Sequence, residues 1–498
     1  MLAYVRQTGI PQAGAQDEFS YLLGAETFAH GRLANPPHPL ARFFESPHEL
    51  FRPVYASKYP PGQAMFLALG EILLGSPFYG VMISDDLMLL TFGLMLLSWV
   101  KPRCAVLVCA LFALVLAPGM YWTDSYWGGA VAASGGALLF LGIGLSRKRQ
   151  TPLAGAVLAV GILLLFWSRP YEGGVLTLAV LGVFAGELWR GRRIAMFATA
   201  LALFVAGLAW TAYDDSAVTG SPFLLPYVLH QRQYEIVPNF WFLPIGPQRR
   251  YDNARLDAEH GVNGWEASKY LDTRRRLQSP IDLLPPALQM EGFPVIALGL
   301  LTLVAPLARG DPRFVKVTLV AAAVWLALAC ETFHFEHYRA PLWVPIALMI
   351  AFWAERARDF WDRRPVDRGV LFLVILVAML PLGARLIAYQ RPLWEKGTGI
   401  SSPDLWSNRR AALIRRLSVL GSPELVIVRY PSPNWHIEQE WVYNSANIDQ
   451  QRVIFAHDLG AEEDRALLDY YPNRLAVLLT FDPVSGREEL HPYPRTGK

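Results

Sequence analysis

Apolar runs long enough to cross a bilayer's hydrocarbon core, which takes about 20 residues, recur along most of this chain and constrain its fold more than any other feature. They predict membrane helices at about 78–99, 103–121, 128–146, 152–168, 173–189, 193–213, 292–308, 315–332, 340–356 and 369–387. Such recurrence excludes a single cleaved signal peptide as the explanation. Composition agrees: of 498 residues, 53% are hydrophobic and 17% charged, against about a quarter charged in a soluble domain.

Charge asymmetry orients the spans. Alternate connections carry Lys101 and Arg103; Arg147, Lys148 and Arg149; Arg190, Arg192 and Arg193; Arg309, Arg313 and Lys316; and Arg356, Arg358, Arg363, Arg364 and Arg368. The positive-inside rule makes these the cytoplasmic loops. The connections Tyr121 to Trp127, Arg169 to Gly173 and Glu331 to Pro341 are then outer, and both termini lie outside. Gln63 to Leu74 is short and contains Glu71, so it reads as an amphipathic helix on the outer membrane surface. Met1 to Val5 is too short to cross, and a preceding helix is expected to be missing from the sequence.

Three polar regions share the outer side: residues 1–77, an outer loop at 214–291, and residues 388–498. The loop sets Pro222, Pro226, Pro238, Pro244 and Pro247 among aromatics, as irregular chain near the interface. In the last region Leu425 to Tyr430, Val453 to Ala456 and Leu475 to Phe481 read as strands, and Pro403 to Leu420 and Ala461 to Tyr470 as helices. The expected fold class is an all-α polytopic membrane protein of about ten transmembrane helices over residues 78–387, with a small α/β C-terminal extramembrane domain. A net charge of +3 in short clusters marks topology rather than a nucleic-acid footprint. Cys104, Cys109 and Cys330 all fall in apolar runs, which argues against a disulfide framework or a thiolate zinc site.

Several polar residues carry candidate chemistry. Asp17 and Glu18 are adjacent carboxylates early in the first outer segment; they suit either a helix N-terminus or proton abstraction from an acceptor hydroxyl. Lys58 and Arg169 are membrane-edge cations that either contact headgroups and a nearby glutamate or clamp a phosphate. His334, Glu336, His337 and Arg339 form a polar mouth between two spans. Phosphate contact by His337 or Arg339 is favoured there; a divalent cation is possible, but no metal ligand is assigned. Tyr126 and Trp127 suit an aromatic belt or sugar stacking, and Tyr171 and Glu172 follow Arg169. Asp85 and Asp86 lie inside a span, so at least one should face protein or water. Asn434, His436, Glu438, Glu440 and Trp441 form a polar and aromatic group that suits either a solvated loop or acceptor contact.

Taken together, Asp-Glu-Phe-Ser-Tyr-Leu-Leu at 17–23, Tyr-Ala-Ser-Lys-Tyr-Pro-Pro-Gly at 55–62, Ser-Tyr-Trp-Gly-Gly at 125–129 and Ser-Arg-Pro-Tyr-Glu-Gly at 168–173 give the chain its resemblance to a known superfamily. It resembles the GT-C glycosyltransferases, in particular bacterial relatives of the protein O-mannosyltransferases and lipid A aminoarabinose transferases. The resemblance implies a GT-C-like body, a polyprenyl-phosphate-linked sugar donor, and a lipid, glycan or protein acceptor. It also implies inverting transfer on the periplasmic face of the bacterial inner membrane, with Asp17 as catalytic base assisted by Glu18. Lys58, Arg169, His337 and Arg339 are then the donor-phosphate candidates, and Tyr126, Trp127, Tyr171 and Glu172 the substrate contacts. Gly62 replaces the leucine that usually follows the proline pair in this superfamily. The competing reading is a transporter or flippase, a class marked by internal repeats and midplane ionisable groups; no repeat is evident here.

Overall fold

The structure, a computed structural model, describes residues 5–6, 9–115, 122–190, 193–276, 311–362, 405–419, 422–431, 439–482 and 484–493. The spans expected at 292–308 and 369–387, the end of the one at 103–121, and Tyr121, Asn434, His436 and Glu438 lie outside the described residues. The chain divides into two compact units. The first comprises residues 1–7, 81–210 and 274–398, and the second residues 8–80, 211–273 and 399–498.

In chain order the helices are α1 (Gln16–Ala29), α2 (Pro61–Leu74), α3 (Pro77–Trp99), α4 (Pro102–Val115), α5 (Gly129–Lys148), α6 (Pro152–Ser168), α7 (Pro170–Val183), α8 (Ala185–Arg190) and α9 (Ile194–Thr219). There follow α10 (Pro226–Gln233), α11 (Ala254–His260), α12 (Trp265–Arg276), α13 (Pro312–Ala329), α14 (Ala340–Asp362), α15 (Trp406–Ser418) and α16 (Ala461–Tyr470). Among the described residues, α3, α5, α9 and α13 are long and apolar enough to cross a membrane.

The first unit is helical. Its tightest contact joins α5 to α6, where glycines remove the side chains that would hold the backbones apart. A Cβ on Gly161 would lie 2.6 Å from Leu139 N, and one on Gly135 2.9 Å from Leu165 N. Thr151 caps α6 by accepting from Ala154 N–H, and Asp311 caps α13 by accepting from Arg313 N–H. The loop cations converge at one end of this unit. Glu187 pairs with Arg147 at 3.0 Å and Lys316 at 2.6 Å, and Arg313 pairs with Asp311 and Glu355 at 2.7 and 3.0 Å. Two boundaries differ from the sequence reading. The span expected at 173–189 is broken at Phe184, whose buried ring lies against Trp99 and Phe140. The span expected to end at 213 runs on to Thr219, where Gly220 closes the helix with φ of 79°.

The second unit is built on a four-stranded sheet of order β4-β3-β5-β6. Its strands are β3 (Glu424–Arg429), β4 (Val453–His457), β5 (Leu475–Asp482) and β6 (Arg487–Pro492), the first three mutually parallel and the last antiparallel. Alternation along β3 sends Leu425 and Ile427 to one face, packed with Leu23, Phe43, Phe44 and Tyr55 of the first polar segment. Val426 and Val428 go to the other face, with Phe19, Trp406, Leu413 and Trp441. A short hairpin, β1 (Glu49–Leu50) with β2 (Ala56–Ser57), brings His48 and Lys58 to its flanks. α2 crosses the start of α3 closely: a Cβ on Gly70 would lie 2.0 Å from Gly80 N.

Candidate active site

The second unit holds the denser polar centre. At the start of α1, Glu18 turns back and its carboxylate accepts from the N–H groups of Gly14 and Ala15 at 2.8 and 3.1 Å, capping the helix. Asp17 is held otherwise: its Oδ1 accepts from Tyr59 OH at 2.5 Å and pairs with His48 Nδ1. His48 has a φ of 68°, a left-handed conformation that costs a non-glycine residue roughly 1–3 kcal/mol and persists where surrounding contacts enforce it. Here the hydroxyl of Ser20 donates to its carbonyl at 2.6 Å.

Behind His48 lies a buried group of imidazoles and carboxylates. His48, Glu259 and Glu266 each present a ligand atom within 4.8 Å of the others. Lys58 Nζ meets Glu235 at 3.1 Å, His230 Nδ1 meets the same oxygen at 2.9 Å, and His260 pairs with Glu266 at 2.9 Å. Burial opposes the charge on Glu235, yet Lys58 and the His230 hydrogen bond hold its carboxyl well below the usual range. Burial, reinforced by Glu235, pushes Glu266 well above that range; burial also raises Glu259. It lowers His48 and His230, and takes His260 to about 4.

This donor set fits a divalent cation. One imidazole and two carboxylates are common ligands of zinc and of harder divalent ions. Burial disfavours the charge on both carboxylates, which a cation would relieve, and the buried far nitrogens of His230 and His260 have no hydrogen-bond partner among the described residues. Among the described residues this three-ligand group is His48, Glu259 and Glu266. At the polar mouth where the sequence favours phosphate contact and assigns no metal ligand, His334 is exposed and His337 stacks on Trp127 at 5.2 Å and on Phe335 at 5.8 Å.

The first unit gathers most of the remaining candidates. Buried Arg169 lies 3.9 Å from Glu172 and 4.2 Å above the Tyr338 ring. Tyr171 OH donates to the Ala327 carbonyl at 3.2 Å, Tyr126 is buried, and Arg339 ends the 3-10 turn Glu336–Arg339 that carries His337. Glu331, unremarked in the sequence, is buried near Glu172, and burial raises its carboxyl. Asp85 is buried and Asp86 exposed, as the cost of two lipid-facing charges requires. In the second unit the sequence assigns no role to His48, Tyr59, His230, Glu235, Arg255, Glu259, His260 and Glu266. Tyr59 lies inside the quoted motif at 55–62 and His48 shortly before it; the others sit in a loop that reads as irregular chain.

One unit holds membrane-length helices and the other a mixed sheet and a buried acidic group, and this fold is shared with two solved structures. The chain is similar to crystallised ArnT from Cupriavidus metallidurans bound to undecaprenyl phosphate, with a TM-score of 0.54 and 11% identity over 96% of this chain and 91% of that one. It is also similar to the Archaeoglobus fulgidus oligosaccharyltransferase in complex with Zn and sulfate, with a TM-score of 0.52 and 12% identity over 95% of this chain. It spans 64% of the length of that larger protein. At the level of sequence, no family model and no curated protein matches the chain.

Proposed function

We propose that the chain is a GT-C-type glycosyltransferase that moves a sugar from a polyprenyl-phosphate-linked donor to an acceptor hydroxyl on the periplasmic face of a bacterial inner membrane. The observation that carries this reading is Asp17, fixed by His48 and Tyr59 beside a buried group able to hold a cation. Undecaprenyl phosphate bound to the similarly folded ArnT supports the class of donor.

In the proposed reaction Asp17 takes the proton of the acceptor hydroxyl as that oxygen attacks the anomeric carbon. The bond from that carbon to the phosphate oxygen breaks on the opposite face, inverting the configuration and releasing polyprenyl phosphate. Hydrogen bonds from His48 and Tyr59 aim the carboxylate. Arg169, His337 and Arg339 are assigned to the donor phosphate, where a guanidinium fork matches phosphate oxygens. Lys58 holds Glu235 in the structure, and any phosphate contact it makes competes with that pair. Trp127, Tyr126, Tyr171 and Glu172 are assigned to substrate contact. A divalent cation held by His48, Glu259 and Glu266 would supply positive charge for the leaving phosphate.

Purified protein in detergent, given a lipid-linked sugar and an acceptor, should release polyprenyl phosphate. Asp17→Asn should slow that release by about 10²–10⁴-fold, the usual worth of a positioned general base, with an unchanged Tm. Full turnover by the variant removes Asp17 from the mechanism. Accumulation of substrate in vesicles with no product would favour a transporter instead.

A further inference from the structure

The last polar segment supplies one residue to the neighbourhood of the cation group, and its contacts form a chain. Parallel strands in an α/β sheet tend to place functional residues beyond their carboxyl ends, and Tyr430 follows directly on β3. Its hydroxyl donates to Glu440 Oε1 at 2.6 Å and accepts from Trp441 N–H at 3.0 Å; the same Glu440 oxygen accepts from Val442 N–H at 2.7 Å. The other oxygen, Oε2, lies 3.3 Å from Arg255 Nε. Arg255 in turn places Nη2 3.4 Å from Glu259 Oε2. Gln16, next to Asp17, donates to Glu259 Oε1 at 3.1 Å. Arg255, Glu259 and Glu440 are each no more than 2% exposed.

Two buried carboxylates therefore share one guanidinium, and one of them is a proposed cation ligand. Replacing Glu440 removes one of the two carboxylates that share Arg255, so the guanidinium's pull on Glu259 grows and that carboxylate is held less well toward a cation. We propose that Glu440, acting through Arg255, is a positioning residue that sets the placement of Glu259 for a divalent cation. The C-terminal sheet is then part of the metal centre's support. This inference rests on the cation reading above.

The test uses the full-length protein in detergent, titrated calorimetrically with Mn²⁺ and Zn²⁺ in parallel with thermal unfolding. Wild type should bind, and Glu259→Gln should bind more weakly; an inert wild type overturns the cation reading and this inference with it. With wild type binding, Glu440→Gln should raise Kd about 10–100-fold, the usual cost of removing a ligand's orienting partner, at a Tm near that of wild type. An unchanged Kd overturns this inference alone. Arg255→Lys should raise Kd similarly, and adding Glu440→Gln to it should change Kd little further, because both act on one path; additive losses overturn the proposal. Should Glu440→Gln fail to fold, Tyr430→Phe loosens the same carboxylate and should raise Kd by a smaller factor, whereas a wild-type Kd counts against it.

Discussion

Asp17 and Glu18 are neighbours of like charge, and the fold treats them differently. Glu18 closes the first turn of α1 on its own backbone, which is the local role acidic residues often take at helix starts. Asp17 looks to partners 31 and 42 residues away, so only its surroundings distinguish it. A second residue-scale consequence concerns His38, whose Nε2 meets Asp449 at 3.2 Å and Tyr471 OH at 3.0 Å. Burial lowers its pKa below the ordinary value, outweighing the Asp449 contact. Above about pH 6.5 the ring is neutral folded or unfolded and adds no pH dependence. As pH falls through that value the unfolded chain takes up the proton first, so stability is lost on acidification. The drop in Tm between pH 7.5 and 5.5 should therefore be smaller in His38→Gln than in wild type. Equal drops would show that His38 does not sense pH.

At the scale of elements, periodicity and punctuation were readable and irregular edges were not. The apolar runs of β3, β4 and β5 and the helix expected at Ala461 to Tyr470 stand in the sequence as they stand in the fold. β6 does not: Arg487–Pro492 is a polar, mostly exposed edge strand, and one-sided pairing leaves no alternation to find. The break at Phe184 was equally hidden, because it depends on rings from two other helices. Helix packing yields a sharp contrast between glycines. Gly161→Ala would set a Cβ 2.6 Å from Leu139 N, a backbone atom that cannot swing away, whereas Gly174 has nothing within 4 Å. Gly161→Ala should cost about 1–3 kcal/mol through forced separation of α5 and α6. Gly174→Ala should be neutral or stabilise by up to about 1 kcal/mol from helix propensity. Thermal unfolding in detergent checks both, and similar shifts for the two would refute the packing argument.

For the whole molecule, the three residues that could hold a cation come from distant parts of the chain, His48 before the first membrane-length helix and Glu259 and Glu266 in the middle polar segment, while Glu440 of the last polar segment reaches Arg255. A cation that bridges such segments binds the folded state alone and must stabilise it. At 100 times its Kd, a divalent ion should add about 2.7 kcal/mol to stability, seen as a rise in Tm that Glu266→Gln abolishes. A rise of the same size in that variant would place the ion elsewhere.

The sequence alone determined the solvent and the local grammar of this protein. Apolar length demands a bilayer, and residue period separates helix from strand, because both depend on neighbours within a few positions. It also marked Asp17 and Arg169, through motifs that are contiguous. Only the tertiary structure decided that His48, Glu259 and Glu266 meet, that Lys58 faces Glu235, and that Glu440 reaches Arg255. Buried ionisable groups have no period, and their pairing is set by which distant segments the apolar cores bring together. A polar loop read by itself therefore looks solvated until the fold removes its water.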